Sequence, residues 1–151
     1  MKTLNKKEIR KLLEENNFIK KELLTKKDII SYDEKKQIYY INKKPIIIIK
    51  KNKKIPHLKE KKLINWDYFK SIIIDMPAVP YILRGADLLR PGIVEYENFK
   101  KKEIVIIKDE KNKVKLSIME TIVDSESLKE LKKGRIAENL HYFNDKYWKE
   151  N

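Results

Sequence analysis

The chain has no cysteine, three glycines and two histidines among its 151 residues. Without cysteine there is no disulfide, no thiolate nucleophile and no cysteine-ligated zinc. Three glycines are too few to write a phosphate-cradling loop of the P-loop kind. Neither a G-x-S-x-G elbow nor an H-E-x-x-H helix occurs, and His57 and His141 lie in different halves of the chain. No apolar run approaches the length of a membrane span, and the opening Met-Lys-Thr-Leu-Asn-Lys-Lys has no apolar signal region behind it. The expectation is a cytoplasmic protein that is not an enzyme, with no cofactor, no metal and no membrane partner.

What the chain has in excess is positive charge. A formal net charge of +13, with 39% charged residues, points to a polyanionic partner. Richness in Lys, Glu and Ile with little Gly is also a habit of proteins from hot environments. That habit raises Glu alongside Lys, so it does not account for the imbalance. The excess is also uneven. Residues 1–70 carry 21 Lys/Arg against 9 Asp/Glu, a net +12, while residues 71–151 carry 15 against 14, a net +1. This compositional step near residue 70 predicts two domains, 1–70 and 71–151.

In the first half, Lys6 to Asn16 reads as an amphipathic helix, with Ile9, Leu12 and Leu13 on one face. Asn5 is its N-cap, and Glu8 three residues on completes a capping box. A short helical piece, Ile19 to Leu24, follows. The period then changes to that of strands at Asp28–Tyr32, Gln37–Ile41 and Pro45–Lys50. The run Ile46 to Ile49 lacks polar alternation, as in a central strand buried on both faces. From Lys43 to Lys62 there are nine lysines and one acid, Glu60. Two readings stand: solvated loop, or a surface on which Lys50, Lys51, Lys53, Lys54, Lys59, Lys61 and Lys62 contact phosphates, adding affinity without base readout. Trp66, Tyr68 and Phe69 read as packing residues, and His57 as a surface or packing histidine.

The second half opens on Ser71 to Ile93. Ile72, Ile73 and Ile74 form a short buried strand bounded by Asp75 and Pro77. Ala78 to Leu83 can make about two helical turns, with Val79, Ile82 and Leu83 on one face. A loop with Arg84, Gly85, Ala86, Asp87, Arg90 and Pro91 follows. A glycine after a short helix permits positive φ and lets a sugar-phosphate backbone approach closely. An arginine beside it offers a planar fork to phosphate or guanine. An ordinary turn with two exposed arginines fits the same residues. Asp75 and Asp87 flank this helix as cap and turn residues. Further strands are expected at Ile93–Tyr96, Glu103–Lys108 and Val114–Val123, the last two joined through Asp109 to Lys113. A helix runs from an Asp124 cap to Lys132, with Leu128 and Leu131 inward and Gly134 at its C′ position. A final strand spans Ile136–Phe143. Strands this short and this regular suggest a small mixed barrel.

The motifs Gly85-Ala86-Asp87, Pro91-Gly92-Ile93 and the block from Lys133-Gly134 to Trp148 resemble those of PUA domains, over about the last 80 residues. Within that class the chain resembles the malignant T-cell amplified sequence/ligatin-like translation factor family, in a free-standing archaeal form. These proteins place a small pre-PUA domain before a C-terminal PUA domain. One departure is Pro77, where the family usually has glycine. The resemblance implies an α+β fold: a pre-PUA α+β domain followed by a β pseudo-barrel with two helices. It further implies RNA binding along Arg84 to Pro91 and, in the tail, at Lys133, Arg135, Asn139 and His141. The implied partner is small-subunit ribosomal RNA or tRNA, in initiation, reinitiation or recycling, with a translation-factor protein partner left open. Two alternatives stand beside it: an RNA-targeting subunit for an RNA-modifying enzyme, and a protein-interaction adaptor without specific RNA binding.

Overall fold

In the computed structural model, residues 1–149 are described, and they divide into two compact units, Met1–Tyr68 and Phe69–Trp148. The first unit is a meander of five antiparallel strands in sheet order β1 (Lys2–Thr3), β2 (Ile30–Asp33), β3 (Ile38–Ile41), β4 (Lys44–Lys50) and β5 (Lys53–Pro56). Helix α1 (Lys6–Glu15) has the expected capping box: the Asn5 side chain accepts from the Glu8 N–H, and the Glu8 carboxylate accepts from the Asn5 N–H. Leu12 is its buried residue. The piece expected at Ile19 to Leu24 is a single 3-10 turn, Lys21–Leu23.

Ile46, Ile47 and Ile48 are all buried, so β4 is covered on both faces and paired on both sides. Both of its connections are two-residue turns with positive φ at both positions, Asn42-Lys43 before it and Lys51-Asn52 after it. Such turns match the twist of the strands they join, and asparagine tolerates the left-handed region. Strand β5 is hidden in the lysine run. It is an edge strand, where lysine side chains and Pro56 are both tolerated. His57 is fully buried, with Nδ1 accepting the Lys59 N–H at 3.1 Å, which makes it a packing histidine.

The second unit is a six-stranded sheet in the order β7 (Leu88–Leu89), β11 (Arg135–Tyr142), β10 (Lys115–Thr121), β9 (Ile104–Asp109), β6 (Lys70–Ile74), β8 (Ile93–Tyr96). Strands β6 and β9 run parallel, and the other pairs are antiparallel. The two edge strands, β7 and β8, are joined by the single 3-10 turn Arg90–Gly92. A connection that short cannot cross a flat six-stranded sheet, since each residue spans at most about 3.6 Å. The sheet therefore curls until its edges nearly meet, giving a pseudo-barrel. Its interior is filled by Ile72, Ile74, Leu88, Val105, Ile107, Met119 and Ile136, with Ile82 and Leu128 closing it from the connecting segments.

Three local expectations need correction. The helix at Ala78 to Leu83 is a 3-10 turn, Met76–Ala78, leading into one turn of α-helix, α2 (Val79–Ile82). Pro77 and Pro80 remove two donors, which limits the length but suits a first turn. At the corner where the family has glycine, the Asp75 carboxylate accepts from Ala78 N–H, and Glu110 accepts from Met76 N–H. The helix expected from Asp124 is a 3-10 stretch, Ser125–Lys129, because the Asp124 carboxylate accepts from Lys101 N–H and caps nothing. Leu128 is buried as expected, but Leu131 is 37% exposed.

Candidate nucleic-acid interface

The loop after α2 is built by backbone hydrogen bonds that wind it tightly. Arg84 and Ala86 N–H both donate to the Tyr81 carbonyl, and Gly85 N–H donates to that of Ile82. Gly85 sits at φ +96°, and a Cβ there would stand 3.1 Å from Cε1 of Tyr142. Both the conformation and the space require glycine. The Tyr142 ring thus forms the floor under the loop, delivered by the end of β11.

Asn139, also on β11, fastens the loop from the other side. Its amide nitrogen donates to the Ile82 carbonyl at 3.2 Å and to that of Ala86 at 3.0 Å. Its amide oxygen accepts from the buried Ser117 hydroxyl at 2.7 Å. The Asn139 backbone N–H donates to Asp87 Oδ1 at 2.9 Å. A β-bulge at this point, where Ile118 pairs with His141 but Met119 pairs with Asn139, re-aims the strand.

The other oxygen of Asp87 lies 3.3 Å from Nε of Arg135. Held through Nε, the Arg135 guanidinium keeps its two terminal NH2 groups for an outside acceptor, and its side chain is half exposed. Arg90 is held in a similar way: its Nε donates to the carbonyls of Leu128 and Leu131, each at 3.1 Å, and its backbone N–H donates to the Gly134 carbonyl. Arg90 is therefore a brace that closes the 3-10 stretch onto β7. Arg84 is exposed, with Cζ 6.0 Å from the centre of the Tyr81 ring, and Tyr81 itself is 63% exposed.

The residues singled out in the sequence thus separate into different places. Arg84, Ala86, Pro91, Lys133 and Arg135 are exposed, while Gly85, Asp87 and Asn139 form the framework beneath. His141 is the exception. It is fully buried, with Nδ1 2.8 Å from Asp145 Oδ2, so an RNA contact there is corrected to a core role. Burial pushes the Asp145 carboxyl up, but His141 and the N–H groups of Trp148 and Tyr142 outweigh it and hold it below the usual carboxylate range. Sequence reasoning misses Tyr81: an exposed aromatic on a one-turn helix has no periodicity to mark it.

The lysines of the first unit do not form one patch. Lys50, Lys51, Lys53 and Lys54 gather at the β4–β5 turn, with Lys54 3.9 Å from Glu15. Lys59 and Lys61 follow β5 in the connecting segment. Lys62 lines a depression with Asn42 and Lys44, at the opposite end of β4. The ends of that strand are about 20 Å apart at roughly 3.3 Å per residue.

A curled mixed sheet with short helical turns at its rim, and a glycine-dependent loop tied onto its last strand, defines the second unit as a small β pseudo-barrel module. Residues 70–143 match the PUA domain family model. The chain is a PUA-domain protein, and it resembles the malignant T-cell amplified sequence/ligatin-like translation factor family. Translation machinery-associated protein 20 of Saccharomyces cerevisiae is 26% identical over 137 residues, spanning 84% of this chain and 75% of that protein. An uncharacterized protein of Methanocaldococcus jannaschii is 35% identical over 78 residues, 51% of this chain, and this chain spans about half of that relative's length (48%). Among solved structures, a hypothetical protein from Pyrococcus horikoshii superposes with a TM-score of 0.72 at 27% identity, covering 97% of this chain and 96% of that one. A PUA domain from Aeropyrum pernix K1 shares the fold, with a TM-score of 0.78 at 22% identity over 97% of this chain and 88% of that one.

Proposed function

We propose that the protein is a cytoplasmic, non-enzymatic RNA-binding protein of the translation apparatus, docking on the small ribosomal subunit or on tRNA during initiation, reinitiation or recycling. Its RNA site is the rim formed by Tyr81, Arg84, Ala86, Pro91, Lys133 and Arg135, with the lysines of the β4–β5 turn adding salt-sensitive grip. The observation that carries this reading is the link from Asn139 through Asp87 to Arg135. It holds a guanidinium at the surface beside a fixed loop, with its terminal donors facing outward. A preset fork loses little freedom on taking up a phosphate. Beside it, Tyr81 offers a ring on which an unpaired base can stack.

The test is co-sedimentation of wild type and an Arg84→Glu, Arg135→Glu variant with purified small subunits and with tRNA, across a salt series. The reading expects selective binding that the variant abolishes, and an affinity that falls with log salt at a slope of roughly −0.7 to −0.9 per phosphate contacted. Weak binding to every RNA, unchanged in the variant, would refute it. A second reading, an RNA-targeting subunit for a modifying enzyme, draws on one similarity. A probable tRNA pseudouridine synthase B of Sulfurisphaera tokodaii is 42% identical over 67 residues, 44% of this chain and 20% of that protein. Preference for substrate RNA over small subunits in the same assay would favour it.

A further inference from the structure

The first unit carries a surface that the RNA-binding reading does not use, around the Asn42-Lys43 turn. On one side of Asn42 is a depression of about 380 Å³ lined by Met1, Thr3, Ile29 and Ser31. On the other is one of about 500 Å³ lined by Leu23, Leu24, Ile41 and Leu63. Ile29 is 57% exposed and Leu23 52%, unusually open for large aliphatic side chains on either flank of one turn. Asn42 is a fixed partition between them: its oxygen accepts from the Ile29 N–H, and its amide donates to Asp28.

The charge around these depressions is one-sided. Lys43, Lys44 and Lys62 line them and make no ion pair among the described residues. The two acids at the rim are already engaged. Asp28 accepts from Thr25 N–H and from the Asn42 amide, and Glu60 accepts from the backbone N–H groups of Lys62 and Leu63. No aromatic ring lines either depression, so a nucleic acid would find phosphate contacts but nothing on which to stack a base. Strand β1, beside the smaller depression, is an outer strand with one side unpaired.

We propose that this surface docks an acidic protein segment with two apolar anchor residues, one for each depression, its carboxylates facing Lys43, Lys44 and Lys62. Apolar anchors in preformed hollows supply affinity, and the complementary charge at the rim supplies orientation and association rate.

The experiment pans a random dodecapeptide library on the full chain and synthesises one enriched peptide. Binding is then measured by fluorescence anisotropy to wild type, to Lys43→Glu, Lys44→Glu, and to Leu23→Ser, Ile29→Ser. All four positions are exposed, so the variants are expected to fold, which circular dichroism checks. The expected result is enrichment of peptides combining Asp or Glu with Leu, Ile, Met or Phe. Affinity should drop about tenfold or more in each variant, and binding should weaken with salt. Amide shifts on wild type should map to Leu23, Ile29, Asn42 to Lys44 and Lys62, a readout independent of the variants. Peptides without acidic residues, binding unchanged in both variants, or shifts elsewhere would overturn the proposal. So would oligouridine that displaces the peptide and shifts the same amides, which would assign the surface to nucleic acid.

Discussion

Replacing Asn139 by alanine should be among the most damaging single changes near the loop. The substitution deletes three side-chain hydrogen bonds: two to the Ile82 and Ala86 carbonyls, and one from the Ser117 hydroxyl. Ser117 is fully buried, so its hydroxyl is left without water, at a cost of about 1–3 kcal/mol. The two carbonyls are nearer to solvent, and each loses about 0.5–1 kcal/mol. The total is about 2–4 kcal/mol, and each kcal/mol moves Tm by roughly 4–8 °C in a unit of this size. Urea unfolding followed by tryptophan fluorescence gives the stability change, and amide exchange over residues 82–87 reports whether the loop loosens first. Asn139→Asp sharpens the test. It keeps the acceptor for Ser117 but faces two carbonyls with a carboxylate, so exchange in the loop should rise even where global stability partly recovers. An alanine variant within about 0.5 kcal/mol of wild type, with unchanged exchange, would refute the reasoning.

Gly85→Ala puts a side chain at φ +96° and 3.1 Å from the Tyr142 ring, so it should cost about 1–3 kcal/mol and shift Tyr142 ring resonances in NMR. Arg90→Lys retains the charge but cannot reproduce an Nε shared between two carbonyls. It should speed amide exchange over residues 128–134 and cost about 1–2 kcal/mol in urea unfolding. Asp145 and Asp109 both have carboxyls held below the usual range, Asp145 by His141 and two N–H groups against its burial, and Asp109 chiefly by the Asn112 N–H. A depressed carboxyl stabilises the fold above the unfolded value of about 3.9 and loses that contribution as pH falls through the folded value beneath it. Stability should therefore be flat in this contribution from about pH 7 to about 5 and fall below about pH 4, and the fall should be shallower in Asp145→Asn.

The fold is legible where one physical signal dominates. The isoleucine runs at residues 46–49 and 72–74 could only be buried strands, and Asn5 with Glu8 could only start a helix. Legibility ends where the chain uses short elements. Leu88–Leu89 is two residues long, and its strand character comes from Arg135 and Ala137 opposite it, not from its own composition. The 3-10 stretch after Asp124 reads as a helix because an aspartate before a leucine-bearing segment looks like a cap whichever backbone group its carboxylate meets.

The candidate site is harder to read for the same reason, and Arg90 shows why. Residue type and flanking composition are alike for an arginine that reaches outward and one that braces carbonyls 38 and 41 residues away. Asp87 and Asn139 are joined across 52 residues, and that bond turns two ordinary loop and strand polars into the support for Arg135. A polar residue's role is set by where its partners fold to, and a single sequence carries that only through the topology. Once β7 and β11 are known to pair, the consequence is forced. The residues flanking Leu89 and Arg135 must meet, so the cations on this rim divide into those with a carbonyl or carboxylate to hold and those with none. Arg84 and Lys133 fall in the second group, Arg90 in the first, and Arg135 in both, since its Nε is held while its terminal nitrogens face outward. A charge-reversal series over these four positions should therefore split. Arg90→Glu should lower stability, Arg84→Glu and Lys133→Glu should lower RNA affinity at unchanged stability, and Arg135→Glu should do both, through repulsion with Asp87. Equal effects of all four on RNA affinity, with no loss of stability at Arg90 or Arg135, would mean that the braces seen here do not govern the site.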